Sequence, residues 1–169
     1  MQLNHYNTNF QQKTFPITVV CDNVTNAPNL GSLFRVCDAF GVEELILCGS
    51  HIPLGRKMAK TSRATENVVK HQTHENIVDV ITKLKIKGHY LVALEITFTS
   101  KTLYNFNFPK NQLITLIVGD ENFGVSEDVL KLCDAVVHIP MYGQNSSMNV
   151  VQATNIALYE ITKQLNSSK

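Results

Sequence analysis

The side chains that could do chemistry sit in three polar stretches, each following an apolar run. In "NVTNAPNLGSLFR" (23–35), Asn29 is placed to cap a helix, its side-chain oxygen accepting an orphan N–H of the first turn. On that helix Gly31, Arg35 and Asp38 share one face, opposite a Leu33/Val36/Phe40 stripe. Glycine in a first turn costs about 1 kcal/mol relative to alanine, which a close approach by another group would explain. Arg35 is either half of a surface pair with Asp38 or a cation kept for a ligand. In "VGDENFGVSED" (118–128), two acids follow a buried strand end, bracketed by Gly119 and Gly124. This is either a polar turn before a capped helix or the mouth of a site, where Glu121 orients an arginine or a cationic ligand. In "IPMYGQNSSMNVVQA" (139–153), Pro140 fixes φ and removes a donor, and Gly143 permits backbone geometries other residues avoid. Ser147 and Asn149 then open a helix whose first N–H groups lack intrahelical partners. The stretch is either a solvent-exposed linker or a loop whose free backbone groups hold a flat, partly polar ligand, as an adenosine would be.

A fourth stretch, "HIPLGRKMAKTSR" (51–63), holds Arg56, Lys57, Lys60 and Arg63 and no acid. It is either a solvated loop or a contact for a nucleic-acid backbone. The remaining charge gives no such direction. The chain is formally +1, so any basic footprint is local rather than global.

The elements that must position these stretches alternate. Apolar, β-branched runs at 16–22, 43–49, 66–71, 89–96, 112–119 and 135–140 predict six strands. Such runs bounded by turn residues suit a parallel sheet covered on both faces. Helices are predicted over 30–40 with Gly41 as its stop, and over 75–88, where Ile77, Val80, Ile81 and Leu84 form a stripe ended by Gly88. Two more run from the Ser126 cap to about Leu132 and from about Met148 to Leu165, the last with Ala153 and Ala157 for close packing. The expected class is α/β, a mostly parallel sheet with helices on both faces, with ligands outside the carboxyl ends of the strands. GxGxxG and Walker patterns are missing, which disfavours an ordinary nucleotide binder.

A chain of 169 residues with 44% apolar and 17% charged content is globular and suits one domain. Cys21, Cys37, Cys48 and Cys133 form no CxxC pair or zinc spacing and read as reduced core residues, so no metal is expected. No run approaches a membrane span and the N-terminus has no signal-like apolar segment, so a cytoplasmic protein without membrane partner is expected. The ends, up to about Lys13 and after Leu165, are expected to fray.

Taken in order, the three stretches resemble the signature motifs of the SpoU/TrmH-like RNA ribose 2′-O-methyltransferases, in the SPOUT superfamily. The family's Asn-x-Gly-x-x-x-Arg is met by Asn29, Gly31 and Arg35. Its Gly-x-Glu-x-x-Gly-[Leu/Ile/Val]-Ser is met by Gly119, Glu121, Gly124, Val125 and Ser126. Its third motif appears as Ile139-Pro140-Met141, Gly143, Ser147-Met148-Asn149-Val150, Ala153 and Tyr159-Glu160. "KTSRATENV" (60–68) also looks like a family segment, and the similarity runs over about residues 17–161. Met148 stands where Leu is usual, Val151 where many members have Ser, and Asp120 where Asn or Ala is common.

The resemblance implies a deep trefoil knot (the SPOUT α/β knot) in the C-terminal half and S-adenosylmethionine as cofactor. It implies Gly119, Ile139 and Met148 as cofactor-binding residues, with Leu94, Glu95, Met141 and Gly143 beside them. Arg35 would stabilise the charge on a ribose 2′-oxygen, Glu121 would hold its guanidinium, and Asn29, Ser147 and Asn149 would position Arg35 or the substrate. The substrate would be tRNA or rRNA, gripped by Arg56, Lys57, Lys60 and Arg63. The protein would be a homodimer through its first and last helices. The chain would be one methyltransferase domain over 1–169, core about 17–165, without a separate RNA-binding domain. A non-catalytic RNA-binding or assembly factor on the same fold is the alternative.

Overall fold

The computed structural model describes residues 8–167. The expectation of fraying falls partly on residues 1–7 and 168–169, which lie outside the described residues. Among the described residues seven strands form one sheet: β1 (Phe15–Asp22), β2 (Val42–Cys48), β3 (His71–His74), β4 (Tyr90–Leu94), β5 (Lys101–Thr102), β6 (Ile114–Gly119) and β7 (Ala135–His138). Their spatial order is β3-β2-β1-β6-β4-β7-β5, and every pairing is parallel. The helices are α1 (Ala27–Ala39), α2 (Arg56–Ser62), α3 (Ile77–Ile86), α4 (Glu127–Leu132) and α5 (Val150–Asn166).

Period-2 alternation divides the core into two layers. Val19, Cys21, Leu45, Leu47 and Leu116 point to the layer filled by Leu30, Leu33 and Phe34 of α1 and Ala157, Leu158 and Ile161 of α5. Val20, Ile46, Leu91, Ala93 and Ile117 point the other way, against Val80, Ile81 and Leu84 of α3 and Val129 of α4. Helices therefore cover both faces, as the apolar strand runs require. Burying each of the large side chains contributes about 1.5–3 kcal/mol, so this double layer dominates stability. β6 and β7 each lie between strands laid down earlier in the chain: β6 between β1 and β4, β7 between β4 and β5.

Five local expectations are corrected. The strand expected at 66–71 is a 3₁₀ turn at Thr65–Asn67, and the pairing segment is the polar "HQTH" of β3. An edge strand has one neighbour and one solvated side, so it needs no apolar signature. The short β5, also an edge, was invisible for the same reason. The first helix begins at Ala27 rather than about residue 30. Asn26 is its cap, accepting from the N–H of Asn29 at 3.0 Å, and Pro28 sits in the first turn where no donor is needed. Asn29 is thus inside the helix and caps nothing. The basic strip expected as a loop is largely helix α2. Ser126 stands at the α4 cap position but makes no side-chain cap bond. Asn149, by contrast, caps α5 by accepting from the N–H of Val151 at 2.9 Å.

α2 packs onto α1 at Gly31. A Cβ there would overlap the Met58 carbonyl oxygen and sit 2.8 Å from the Ser62 nitrogen. The close approach that the sequence implied is made by the α2 backbone. Met58 and Ser62 bury against α1, Ala59 and Thr61 are half-buried, and Arg56, Lys57 and Lys60 are exposed.

Candidate active site at the carboxyl ends of the central strands

β1 and β6 end side by side, Asp22 opposite Gly119. The chain leaving β6 turns at once. Asp120 Oδ1 accepts from the N–H groups of Asn122 (2.8 Å) and Phe123 (3.2 Å), and its carbonyl accepts from Gly124 N at 2.8 Å. The turn folds back so closely that a Cβ on Gly119 would overlap the backbone of Gly124 and Val125. Gly124 takes φ +67 beneath the Glu95 carboxylate, a conformation glycine tolerates without strain.

Two carboxylates from neighbouring strand ends clamp this turn. Asp22, 8% exposed, accepts on Oδ2 from both the N–H (2.9 Å) and the hydroxyl (2.7 Å) of Ser126. Glu95 accepts from Val125 N at 3.0 Å and from Ile96 N at 2.8 Å. Hydrogen bonds to an ionised acceptor are the stronger kind, and these bonds hold the turn in one shape. Neither the Asp22 nor the Asp120 role was read from the sequence. The available signal for Asp22 was an acid ending a buried strand.

Beside the turn lies a cavity of about 650 Å³ at the ends of β4, β6 and β7. Of the residues expected at a cofactor, Leu94, Glu95, Gly119, Ile139, Met141 and Met148 line it, and Gly143 does not. Among the described residues, its own chain neighbours aside, no atom lies within 4 Å of where a Gly143 Cβ would be. Glu121 and Ser147 also line the cavity; Asn29, Asn149 and Arg35 do not. The wall also includes Thr97 and His138, which the sequence reading missed.

A polar chain joins the three sequence stretches at this edge. The Asn29 side-chain amide donates from Nδ2 to Glu121 Oε1, and Asn29 Oδ1 accepts from Asn149 Nδ2 at 3.2 Å. Asn149 uses its own Oδ1 for the α5 cap, which fixes its amide orientation and leaves Nδ2 free to donate. The three partners stand 92 and 120 residues apart in the chain.

Arg35 is exposed. Among the described residues it forms no ion pair, so neither the surface pair with Asp38 nor the grip by Glu121 occurs within one chain. Glu121 serves Asn29 instead. The helix that carries Arg35 presents it one turn beyond Gly31, where α2 crosses. On α2, Arg56 and Lys60 are one turn apart, with Lys57 beside them and Arg63 following in the left-handed conformation (φ 52). All four are exposed, and among the described residues none is ion-paired. The expected basic strip is therefore a cationic helix face.

The cysteines are free, and Cys21, Cys37 and Cys48 are buried. Burial pushes the Cys48 and Cys133 thiols up to about 12, and that of Cys37 higher still, which keeps them protonated and unreactive. Among the described residues no group of His, Cys, Asp and Glu is arranged to hold a metal ion.

Residues 16–159 match the SpoU rRNA Methylase family. The chain is 36% identical over 152 residues to the tRNA (guanosine(18)-2′-O)-methyltransferase of Aquifex aeolicus, covering 88% of this chain and 69% of that one. The crystal structure of the A. aeolicus TrmH/SpoU tRNA modifying enzyme superposes with a TM-score of 0.80 at 29% identity, over 92% of this chain and 78% of that one. The SpoU methyltransferase AviRb from Streptomyces viridochromogenes, in complex with the cofactor AdoMet, gives 0.81 over 98% of this chain and 66% of that one. At 24% identity that last likeness is one of fold.

Proposed function

The chain belongs to the SpoU rRNA methylase family, and on that premise we propose that it is an S-adenosylmethionine-dependent RNA methyltransferase acting on a ribose 2′-OH of tRNA or rRNA. The observation that carries this is the meeting of the three polar stretches through Glu121, Asn29 and Asn149 at the rim of one cavity. The cavity suits the cofactor. Its volume lies in the range of small-molecule sites, roughly 300–1,000 Å³. Leu94, Ile139 and Met148 offer apolar wall, and Asp120 and Glu121 offer negative charge for a cationic centre. Bound there, the cofactor supplies an electrophilic methyl group.

The chain's own residues do the rest. The ribose oxygen must lose its proton and be held in line with the methyl, so positioning is the main lever. Glu121, Asn29 and Asn149 form a preset hydrogen-bonding rim, with Ser147 at the cavity wall, to orient the ribose and its phosphate. Arg35 stabilises the negative charge growing on the 2′-oxygen. A guanidinium holds its proton tightly, so Arg35 works as a fixed cation rather than as a base. Because Arg35 lies outside the cavity wall of a single chain, it joins the site in the assembled homodimer. α5 supports that assembly with Ile156 and Tyr159, 41% and 61% exposed on the last helix. The cationic face of α2 grips RNA phosphates.

A trefoil knot in the C-terminal half agrees with the insertion of β6 and β7 between earlier strands. A cytoplasmic setting and a single domain over 1–169 complete the reading. Among the described residues no helix is long and apolar enough to cross a membrane.

Transfer of a labelled methyl group from S-adenosylmethionine to bulk RNA tests the proposal. Arg35→Ala should abolish turnover and leave cofactor affinity unchanged. RNA bound by wild-type protein without methyl transfer would return the non-catalytic alternative.

A further inference from the structure

Three of the most exposed aromatic side chains stand at one end of the sheet. Phe98 is fully exposed, Tyr142 88% and Phe123 86%. They lie on the loops that follow β4, β7 and β6, three neighbouring strands. Phe123 lines the cavity, Phe98 follows the lining residue Thr97, and Tyr142 follows the lining residue Met141. Among the described residues the one other aromatic exposed to that degree is Phe10, near the amino ends of β1 and β2. Two of the three rings are carried on fixed backbone. The Phe98 turn is closed by Ser100: the Thr97 N–H donates to Ser100 Oγ at 3.0 Å, and Ser100 Oγ donates to the Thr97 carbonyl at 2.8 Å. His138 Nδ1 meets the same Oγ at 2.9 Å, which ties the turn to β7. Phe123 is held by its own N–H, which donates to Asp120 Oδ1. Among the described residues Tyr142 has no such tie, and none of the three rings packs on another aromatic ring. A ring left in water forgoes the stabilisation of burial, and a ring on a fixed turn loses little freedom when a partner covers it.

We propose that Phe98 and Phe123 are stacking platforms for unpaired bases of the RNA substrate, an assignment that rests on the RNA reading above. Every base has a flat π face, and an aromatic side chain stacks on it whatever the base. In a duplex those faces are covered by the neighbouring bases, so the two rings select loops, bulges and single strands over paired RNA. The phosphate-gripping face is continuous with them. α2 packs on α1 at Gly31, Asn29 two residues earlier donates to Glu121, and Phe123 stands two residues beyond Glu121. A strand following that path meets cations for its phosphates at one end and rings for its bases at the other. Glu121, on the cavity wall, lies between the two along that path. The rings thus hold the strand by its bases where its ribose must be held for methyl transfer.

Phe98→Ala and Phe123→Ala remove the rings from exposed positions; Phe98→Tyr and Phe123→Tyr keep them. Fluorescence anisotropy should be run with a mixed-sequence RNA strand and with the same strand annealed to its complement. Wild type should bind the single strand more tightly than the duplex. Each alanine variant should lose about five- to hundredfold on the single strand and nothing on the duplex. The slope of affinity against salt should stay as in wild type, because no phosphate contact has gone. The tyrosine variants should bind as wild type does. Phe98→Ala, outside the cavity wall, should leave S-adenosylmethionine affinity unchanged in calorimetry. Single-strand affinity equal to wild type in both alanine variants would overturn the proposal, and so would equal losses on strand and duplex. Alanine variants that sediment as monomers where wild type is a dimer would give the rings to a subunit interface and overturn it equally. Each of these failures leaves methyl transfer to bulk RNA by wild type standing. If wild type binds neither form of RNA, the RNA reading itself falls, and this assignment with it.

Discussion

Two walls of the same cavity are built in opposite ways. The turn at 119–126 is clamped by Asp22, Glu95 and the internal bonds of Asp120, and its two glycines are packed against backbone or carboxylate. The loop at 139–149 is largely exposed, Gly143 faces open space, and the loop's one side-chain tie to the first polar stretch is the Asn149–Asn29 bond. Both stretches looked alike as sequence: small, polar, glycine-containing, following an apolar strand. The difference teaches that glycine serves close packing and a left-handed φ in one wall, whereas in the other it meets no neighbour among the described residues. One wall is preorganised to present Glu121 to Asn29; the other is largely exposed and less tied down. A binding site needs the first for orientation and gains the second for entry.

Substitutions can break or sharpen this contrast. Gly119→Ala should have the largest effect. Its new methyl overlaps backbone rather than a movable side chain, so the turn must open, at a cost of about 3 kcal/mol or more in urea unfolding. Asp22→Ala should follow, leaving the N–H and hydroxyl of Ser126 without their acceptor, a loss of about 2 kcal/mol together with weaker cofactor binding in calorimetry. Reversing charge on the α2 face, with Lys57→Glu and Lys60→Glu, should leave unfolding unchanged and weaken RNA binding while flattening its salt dependence. Gly143→Ala should have the smallest effect, within about 0.5 kcal/mol on unfolding. A Gly143→Ala penalty as large as that of Gly119→Ala would mean that the two walls are not different in kind.

Much of the site could be read in the chain before its fold was known. Five of the six strand runs and the helix stops at Gly41 and Gly88 stand where the sequence put them, and six of the seven cofactor candidates line one cavity. These are signals of near neighbours: period 2, period 3.6, turn chemistry and short motifs. The misreadings share a cause. β3 and β5 are edges with little to bury, so no apolar pattern marks them. α2 owes its place to the backbone of another helix at Gly31. Asn29 seemed a cap because Asn26, three residues earlier, offers the same chemistry and Pro28 hides the helix start.

By itself the sequence determined the alternating α/β scaffold, the double-sided burial of its central strands and the identity of the polar groups at the strand ends, because each follows from contacts a few residues apart. Only the tertiary structure decided their partners. Insertion of β6 beside β1 brings Asp22 to Ser126, and the order of β4, β6 and β7 brings Glu95 to Val125 and Thr97 to the cavity. Those bonds join residues 104 and 30 positions apart. No local pattern encodes such pairs, since they exist only where strands from separate parts of the chain end side by side.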